Sequence, residues 1–292
     1  MKYEGRSTKD EVKQWNPVLL FVFHAILLMS VAGAEIKFED VKGTVRADPL
    51  GKGELLSFRL LVNNLSATGN KAFGGMAGLT PSLGAFYTRE GKELGFSAYA
   101  DFGIGSGLDQ TGFTPRRAVS ESRSTLVEWG FDLNYIMFNA GQFFWSAGLA
   151  EHSHISGILI EQTSTRFSMI PFTNLLGINT RARFYPLHEF FLTAYLGLGF
   201  IPIYAREMQG YSTAASGSVA TDPGLTAVDI EGPVTFVFEF SGEYRPQPSF
   251  AFHGGLRYRS LSYKAADPSN NNVVTGKTLS YLTPFIGVTL LY

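Results

Sequence analysis

The sequence predicts an all-β chain, a transmembrane antiparallel up-and-down β-barrel of about ten strands, with eight as the rival count. Three observations predict it. Apolar and small polar residues alternate with a period of two over most of the chain beyond residue 53. The segments joining the alternating stretches are short and long in turn. Only 17% of the 292 residues are charged, 14% are aromatic and 32 are glycine, where soluble domains carry about 25% charge. Mean hydropathy is nevertheless only +0.05, and the several long apolar runs that membrane helices require do not occur. One strand face in lipid and the other on a polar lumen gives this balance.

Charge and cysteine content narrow the function. A net charge of −1 without a basic block gives nucleic acid no footing. With no cysteine, disulfides, thiol catalysis and thiolate metal sites are excluded together.

Residues 1–34 read as a secretory signal peptide. Lys2–Asn16 is polar, Pro17–Val31 is apolar, and Ala32-Gly33-Ala34 puts small residues at the −3 and −1 positions for cleavage after Ala34. A membrane anchor is the competing reading, but the apolar run is shorter than the roughly 20 residues an anchor needs and contains His24. Cleavage removes four bases and three acids and leaves 20 against 22. Residues 35–53 then form a short periplasmic segment ahead of a barrel at 54–292.

Strands are expected at 54–63, 76–89, 94–106, 124–138, 143–153, 167–185, 190–206, 233–245, 250–264 and 278–292. The eight-strand count treats the first stretch as an N-terminal segment. Leu94, Phe96, Ala98, Ala100 and Phe102 interleave with Gly95, Ser97, Tyr99 and Asp101; Val127, Trp129, Phe131 and Leu133 interleave with Glu128, Gly130 and Asp132. Val234, Phe236, Phe238 and Phe240 interleave with Thr235 and Glu239, and Phe250, Phe252, Leu256 and Tyr258 with His253, Arg257 and Arg259. In a strand the two sets point to opposite faces. Short polar turns fall at 90–93, 139–142, 186–189 and 246–249, and long polar connections near 64–75, 107–123, 153–166, 207–232 and 265–277. Short turns at one end and long loops at the other are the habit of outer-membrane barrels. Aromatics beside the short turns (Phe138, Phe143, Trp145, Tyr185, Phe190, Tyr244) supply the inner girdle.

The closing residues Leu282–Tyr292 resemble the C-terminal sorting signal of bacterial outer-membrane proteins. Terminal Tyr292 is preceded by apolar Leu290, Val288 and Ile286 at alternate positions. That resemblance implies a location in the bacterial outer membrane and recognition of this strand by the barrel-assembly machinery. The wider pattern is similar to small barrels of the OmpW and opacity type, carried by Gly53–Arg59, by Ile170-Pro171-Phe172 through Phe184-Tyr185, and by the closing strand. The hairpin 124–153 is an addition to that eight-stranded plan.

With the apolar positions given to lipid, Asp101, Glu128, Asp132, Arg181, Arg183, Glu239, Glu243, Arg245, His253, Arg257 and Arg259 face inward, and Glu239 and Glu243 should lie near Arg257 and His253. Two readings stay open: a plug of paired charges, or a polar constriction for a solute. Mixed signs oppose a strongly ion-selective pore. Pro171 and Pro202 sit on neighbouring strands and lack a donor, so a broken ladder there would open a lateral exit. The run Glu151-His152-Ser153-His154-Ile155-Ser156 loosely resembles the His-x-Ser of lipid A deacylases, with Glu151 or Glu161 as an orienting acid, but His152 and His154 turn inward. The two histidines lack a third ligand, so no metal or other cofactor is expected.

The leading expectation is porin-like passive passage of small molecules, apolar ones included, through a narrow charged lumen. The alternative is a plugged barrel acting as adhesin or structural protein, whose loops meet host or phage ligands. A lipid A hydrolase is the minor alternative, and the chain is read as not an enzyme. For the leader, mass spectrometry of protein from outer membranes should find Glu35 as the first residue; a chain retaining Trp15 would overturn the cleavage site.

Overall fold

The computed structural model describes residues 54–291, apart from 71–73, 92, 112–120, 141, 163–164, 188, 215–223, 248 and 268–269. The expected signal peptide with Ala32 and Ala34, the expected segment 35–53, and Tyr292 lie outside the described residues. Ten long strands form the wall: β1 (Glu54–Asn70), β2 (Gly74–Glu90), β3 (Leu94–Ser106), β5 (Glu121–Ala140), β6 (Phe143–Gln162), β7 (Thr165–Leu187), β8 (Phe190–Thr213), β10 (Glu231–Gln247), β11 (Phe250–Asp267) and β12 (Asn270–Leu291). Two short strands lie beside the wall, β4 (Asp109–Thr111) against β2 and β9 (Thr226–Asp229) against β8. Each long strand pairs antiparallel with its neighbours, and β1 pairs with β12 from Leu55↔Leu291 to Thr68↔Thr278. The ladder is closed, and the ten-strand count stands over the eight-strand one.

Alternation decides which side chains meet lipid. On β1, Phe58, Leu60 and Val62 are exposed, whereas Ser57, Arg59, Leu61 and Asn63 are buried. Exposed Phe102, Leu133, Leu149, Ile178, Leu196, Phe240, Leu256, Leu282 and Ile286 continue this apolar belt around the barrel. At its turn end Phe138 and Phe143 lie 5.9 Å apart and Phe250 and Phe252 4.8 Å apart, forming part of the aromatic girdle. Ile286, Val288 and Leu290 share the outward face of β12.

Above the belt the pattern inverts. Along β1 the outward residues change from Phe58, Leu60 and Val62 to Asn64, Ser66 and Thr68, while the inward ones change from Arg59 and Asn63 to Leu65 and Ala67. Along β11 the outward row runs Phe252, Leu256, Tyr258, then Ser260, Ser262, Lys264; the inward row runs His253, Arg257, Arg259, then Leu261, Tyr263, Ala265. The switch comes about ten residues from the turn end, or roughly 23 Å at 3.3 Å per residue and 45° tilt, close to the roughly 25 Å height of a lipid-facing band. Below that level the exterior solvent is lipid; above it the wall stands in water and closes around its own apolar core. That core holds Leu65, Met76, Leu126, Ile158, Phe167, Leu175, Leu261 and Leu279, each no more than 2% exposed.

The inversion corrects one expectation. The connections expected at 64–75, 153–166 and 265–277 are largely strand: β1 runs to Asn70, β6 to Gln162 and β11 to Asp267 before the chain turns back. They looked like loops because polar residues occupy the face that lipid had occupied lower down. The stretch between β7 and β8 expected to hold a lateral exit is irregular but paired on both sides. Pairing continues past both prolines, at Pro171↔Glu207 and Leu175↔Pro202, on either side of register shifts near residues 174–177.

A lysine at the same outward parity should therefore have opposite consequences at two heights. Leu256→Lys, in the belt, should cost about 2–4 kcal/mol of unfolding free energy in vesicles, and Ser262→Lys less than about 0.5 kcal/mol. Equal losses in denaturant titrations would contradict the assigned belt.

Candidate functional site

The turn-side half of the lumen is the chemically dense part of the molecule. Every inward charge expected from the sequence projects there from its own strand, and most are joined across the lumen. Arg257 on β11 donates from Nη1 to Asp101 Oδ2 of β3 at 2.5 Å and from Nε to Glu239 Oε2 of β10 at 2.9 Å. Arg59 on β1 donates to the same Glu239 oxygen at 3.1 Å. Arg259 pairs with Glu128 at 2.5 Å and donates to the Tyr99 hydroxyl at 2.7 Å. Glu128 also meets His154 Nδ1 at 2.9 Å. Asp132 accepts from Arg181 at 3.3 Å, and from Asn179 and Tyr195 at 3.0 Å each.

Nearer the turns Arg183 pairs with Glu90, and Arg245 with Glu243, each at 2.7 Å. Glu239 thus meets Arg257 as expected. Glu243 stands in register with His253, but its carboxylate is taken by Arg245 and the His253 ring meets Thr289 Oγ1 at 3.0 Å. An arginine two residues along the same face reaches the acid more readily than an imidazole on the next strand.

Aromatic faces hold the guanidinium groups from the side. Arg59 lies 4.8 Å from the Phe86 ring centroid and 4.6 Å from that of Phe285, and Arg245 lies 4.4 Å from Phe191. Such contacts hold the apolar plane of a guanidinium while its edge bonds carboxylates. Inward glycines leave the room these side chains occupy. A Cβ at Gly197 would sit 2.9 Å from His152 Nε2, and one at Gly287 2.6 Å from His253 Nε2. A narrow space of about 70 Å³ threads between Leu55, Phe86, Tyr99, Phe191, Tyr195 and the arginines.

The loop-side end of this space is closed by the apolar core described above. Among the described residues one ion pair crosses that core. Lys277 Nζ of β12 meets Glu207 Oε1 of β8 at 2.5 Å, and the Tyr263 hydroxyl donates to the other Glu207 oxygen at 2.7 Å. Among the described residues, this septum closes the charged lumen on the loop side.

Arg59, Tyr99, Tyr195, Glu207 and Lys277 belong to these networks but are not among the residues expected from the sequence. Arg59 could have been found, since it shares parity with inward Leu55 and Ser57. Glu207 and Lys277 each lay one residue outside an expected strand, so no face could be assigned to them. The His-x-Ser pair turns inward, as its parity predicts: His154 bonds Glu128 inside the lumen, and the Ser156 hydroxyl lies 2.6 Å from the Tyr281 hydroxyl. Glu151 points to the opposite face of β6 from both.

No family model and no curated protein matches the chain. Among solved structures it is similar to the outer membrane protease OmpT from Escherichia coli, with a TM-score of 0.53 and 8% identity over 88% of this chain and 100% of that one. The translocator domain of autotransporter NalP from Neisseria meningitidis gives a TM-score of 0.38 at 11% identity, covering 94% and 98% of the two chains. A TodX deletion mutant, a monoaromatic hydrocarbon channel, gives 0.34 at 7%, covering 87% and 95%. These neighbours do not single out the OmpW or opacity type. The expectation that the chain is not an enzyme is overturned, because a barrel of the same plan is a protease. Closed ladder and apolar belt give the chain a transmembrane-type antiparallel β-barrel, the fold it shares with that outer membrane protease.

Proposed function

We propose that the barrel is a gated channel: the turn-side lumen receives a small solute, and the apolar septum above it must rearrange before the solute passes. The observation that carries this reading is a narrow recess of about 70 Å³, lined by both aromatic rings and guanidinium groups, lying beneath a septum whose residues are nearly all below 3% exposed. A chain that needed only a plug could have filled both halves with apolar side chains, which often stabilise as well as a buried ion pair or better. Six arginines in the lower lumen, each with an acidic partner, are costly to bury and suit a surface that binds polar groups. The outward row Ile286, Val288 and Leu290 on β12 serves as the strand that the assembly machinery reads.

Refolded protein in planar bilayers should be nearly silent, which separates a gated channel from an open porin. Leu261→Gly combined with Leu279→Gly removes two neighbouring parts of the septum and should give ohmic openings and sugar uptake in liposome swelling. Silence of this variant in both assays, with the barrel still folded, would remove the channel reading.

In the same opened background Arg257→Gln should shift the reversal potential toward cation preference, because Asp101 and Glu239 lose their shared guanidinium. Removing one partner of a buried pair should also destabilise the barrel by about 3–5 kcal/mol. An unchanged reversal potential would place the conducting path away from these residues.

A further inference from the structure

The outer wall breaks its own rule in one place. On β6 the outward parity carries Phe143, Trp145 and Leu149, all exposed to lipid, and then Glu151 and Ser153, which are 1% and 0% exposed. Asn174 on β7, in register with Ser153, has outward parity and is 0% exposed. Trp129 on β5, in register with Ser153 from the other side, is 3% exposed. The Phe172 ring lies 6.1 Å from Trp129 and 4.7 Å from Tyr204, so three aromatic rings form a row on the strands beside these polar residues. Beside them Ser153 Oγ donates to Glu151 Oε1 at 2.5 Å.

Position gives the cluster its meaning. Ser153 lies ten residues above Phe143 on β6, about 23 Å up the wall by the same rise and tilt. That is the height at which the other strands change from lipid-facing to water-facing, and where the outer leaflet's acyl chains join their headgroups. An ionisable group on the lipid side of a wall is expensive and marks a functional site by default. A hydroxyl bonded to a carboxylate is a nucleophile with its base.

We propose that Ser153 and Glu151 form a nucleophile–base pair that cleaves ester-linked acyl chains from a lipid of the outer leaflet. Ser153 Oγ attacks the ester carbonyl carbon while its proton passes to Glu151. The tetrahedral adduct collapses, the ester C–O bond breaks, and the departing lyso-lipid oxygen takes the proton back from Glu151. Water then attacks the acyl-serine by the same route, losing its proton to Glu151 and releasing the fatty acid and free Ser153. Asn174 supplies an amide at the register of Ser153 to meet the developing oxyanion, and Trp129, Phe172 and Tyr204 part to seat the acyl chain. This assignment is independent of the lumen: it uses the opposite face of β6 from His152 and His154.

The test uses mature protein refolded into diacylphosphatidylethanolamine vesicles, with folding checked by heat-modifiable electrophoretic mobility. A fluorophosphonate probe should phosphonylate Ser153, mapped by peptide mass spectrometry, and untreated protein should release fatty acid and lyso-lipid. Ser153→Ala should abolish both signals, and Glu151→Gln should slow release by about 100-fold or more. Ser262→Ala should change neither, and dialkyl ether vesicles should yield no product. Absence of probe on Ser153 in folded wild-type protein would overturn the proposal even if Ser153→Ala failed to fold. Turnover of a soluble short-chain ester without release from vesicles would overturn the assignment to a lipid.

Discussion

Within lipid a peptide group that lacks a partner costs several kcal/mol, and pairing of β1 with β12 is how this chain satisfies that constraint at its two strand ends. Everything else is arranged around the closed ladder. Closure fixes one face of each strand outward, which sets the parity of Phe58, Leu60 and Val62 against Ser57 and Arg59. The same parity brings arginines from β1, β7, β10 and β11 into one narrow space with acids from β2, β3, β5 and β10. A one-residue slip in any ladder would exchange the two faces, placing guanidinium groups in lipid and phenyl rings in the lumen.

The interior is divided because the exterior is. Inside the belt, lipid satisfies the apolar face, and the polar side chains must find partners across the lumen; Arg257 therefore bridges β3 and β10. Above the belt, water takes the polar face, and the apolar residues turn inward to form a septum much like the core of a soluble barrel. Lys277 and Glu207 lie buried within that septum as a matched pair, the form in which buried charge is tolerated.

Glu151 and Ser153 illustrate how parity and burial together locate chemistry. Either observation alone is ordinary: many buried residues are polar, and every strand has an outward row. Their coincidence on β6, beside rings contributed by β5, β7 and β8, is what sets the cluster apart. A catalytic surface on the lipid side is compatible with a channel inside because the two faces of one strand share a backbone but no side chains.

By itself the sequence determined the barrel: alternating Val127–Tyr135 and Val234–Phe240, short turns at one end, and low charge at near-zero mean hydropathy required a closed sheet with one face in lipid. It also placed Asp101, Glu128, Asp132, Arg181, Arg183, Glu239, Glu243, His253, Arg257 and Arg259 inside, because a period of two assigns faces without knowledge of neighbours. It could not place the strand ends, since the inversion at Val62–Asn64 and at Tyr258–Ser260 reads locally as the start of a polar loop. Tertiary structure alone decided which acid each arginine meets, because partners such as Arg257 and Asp101 lie 156 residues apart and come together only when the ladder closes. It also decided that the lumen ends in a septum and that Ser153 and Glu151 are hidden on the lipid face, for burial depends on side chains supplied by several strands, and a strand's own alternation carries no record of them.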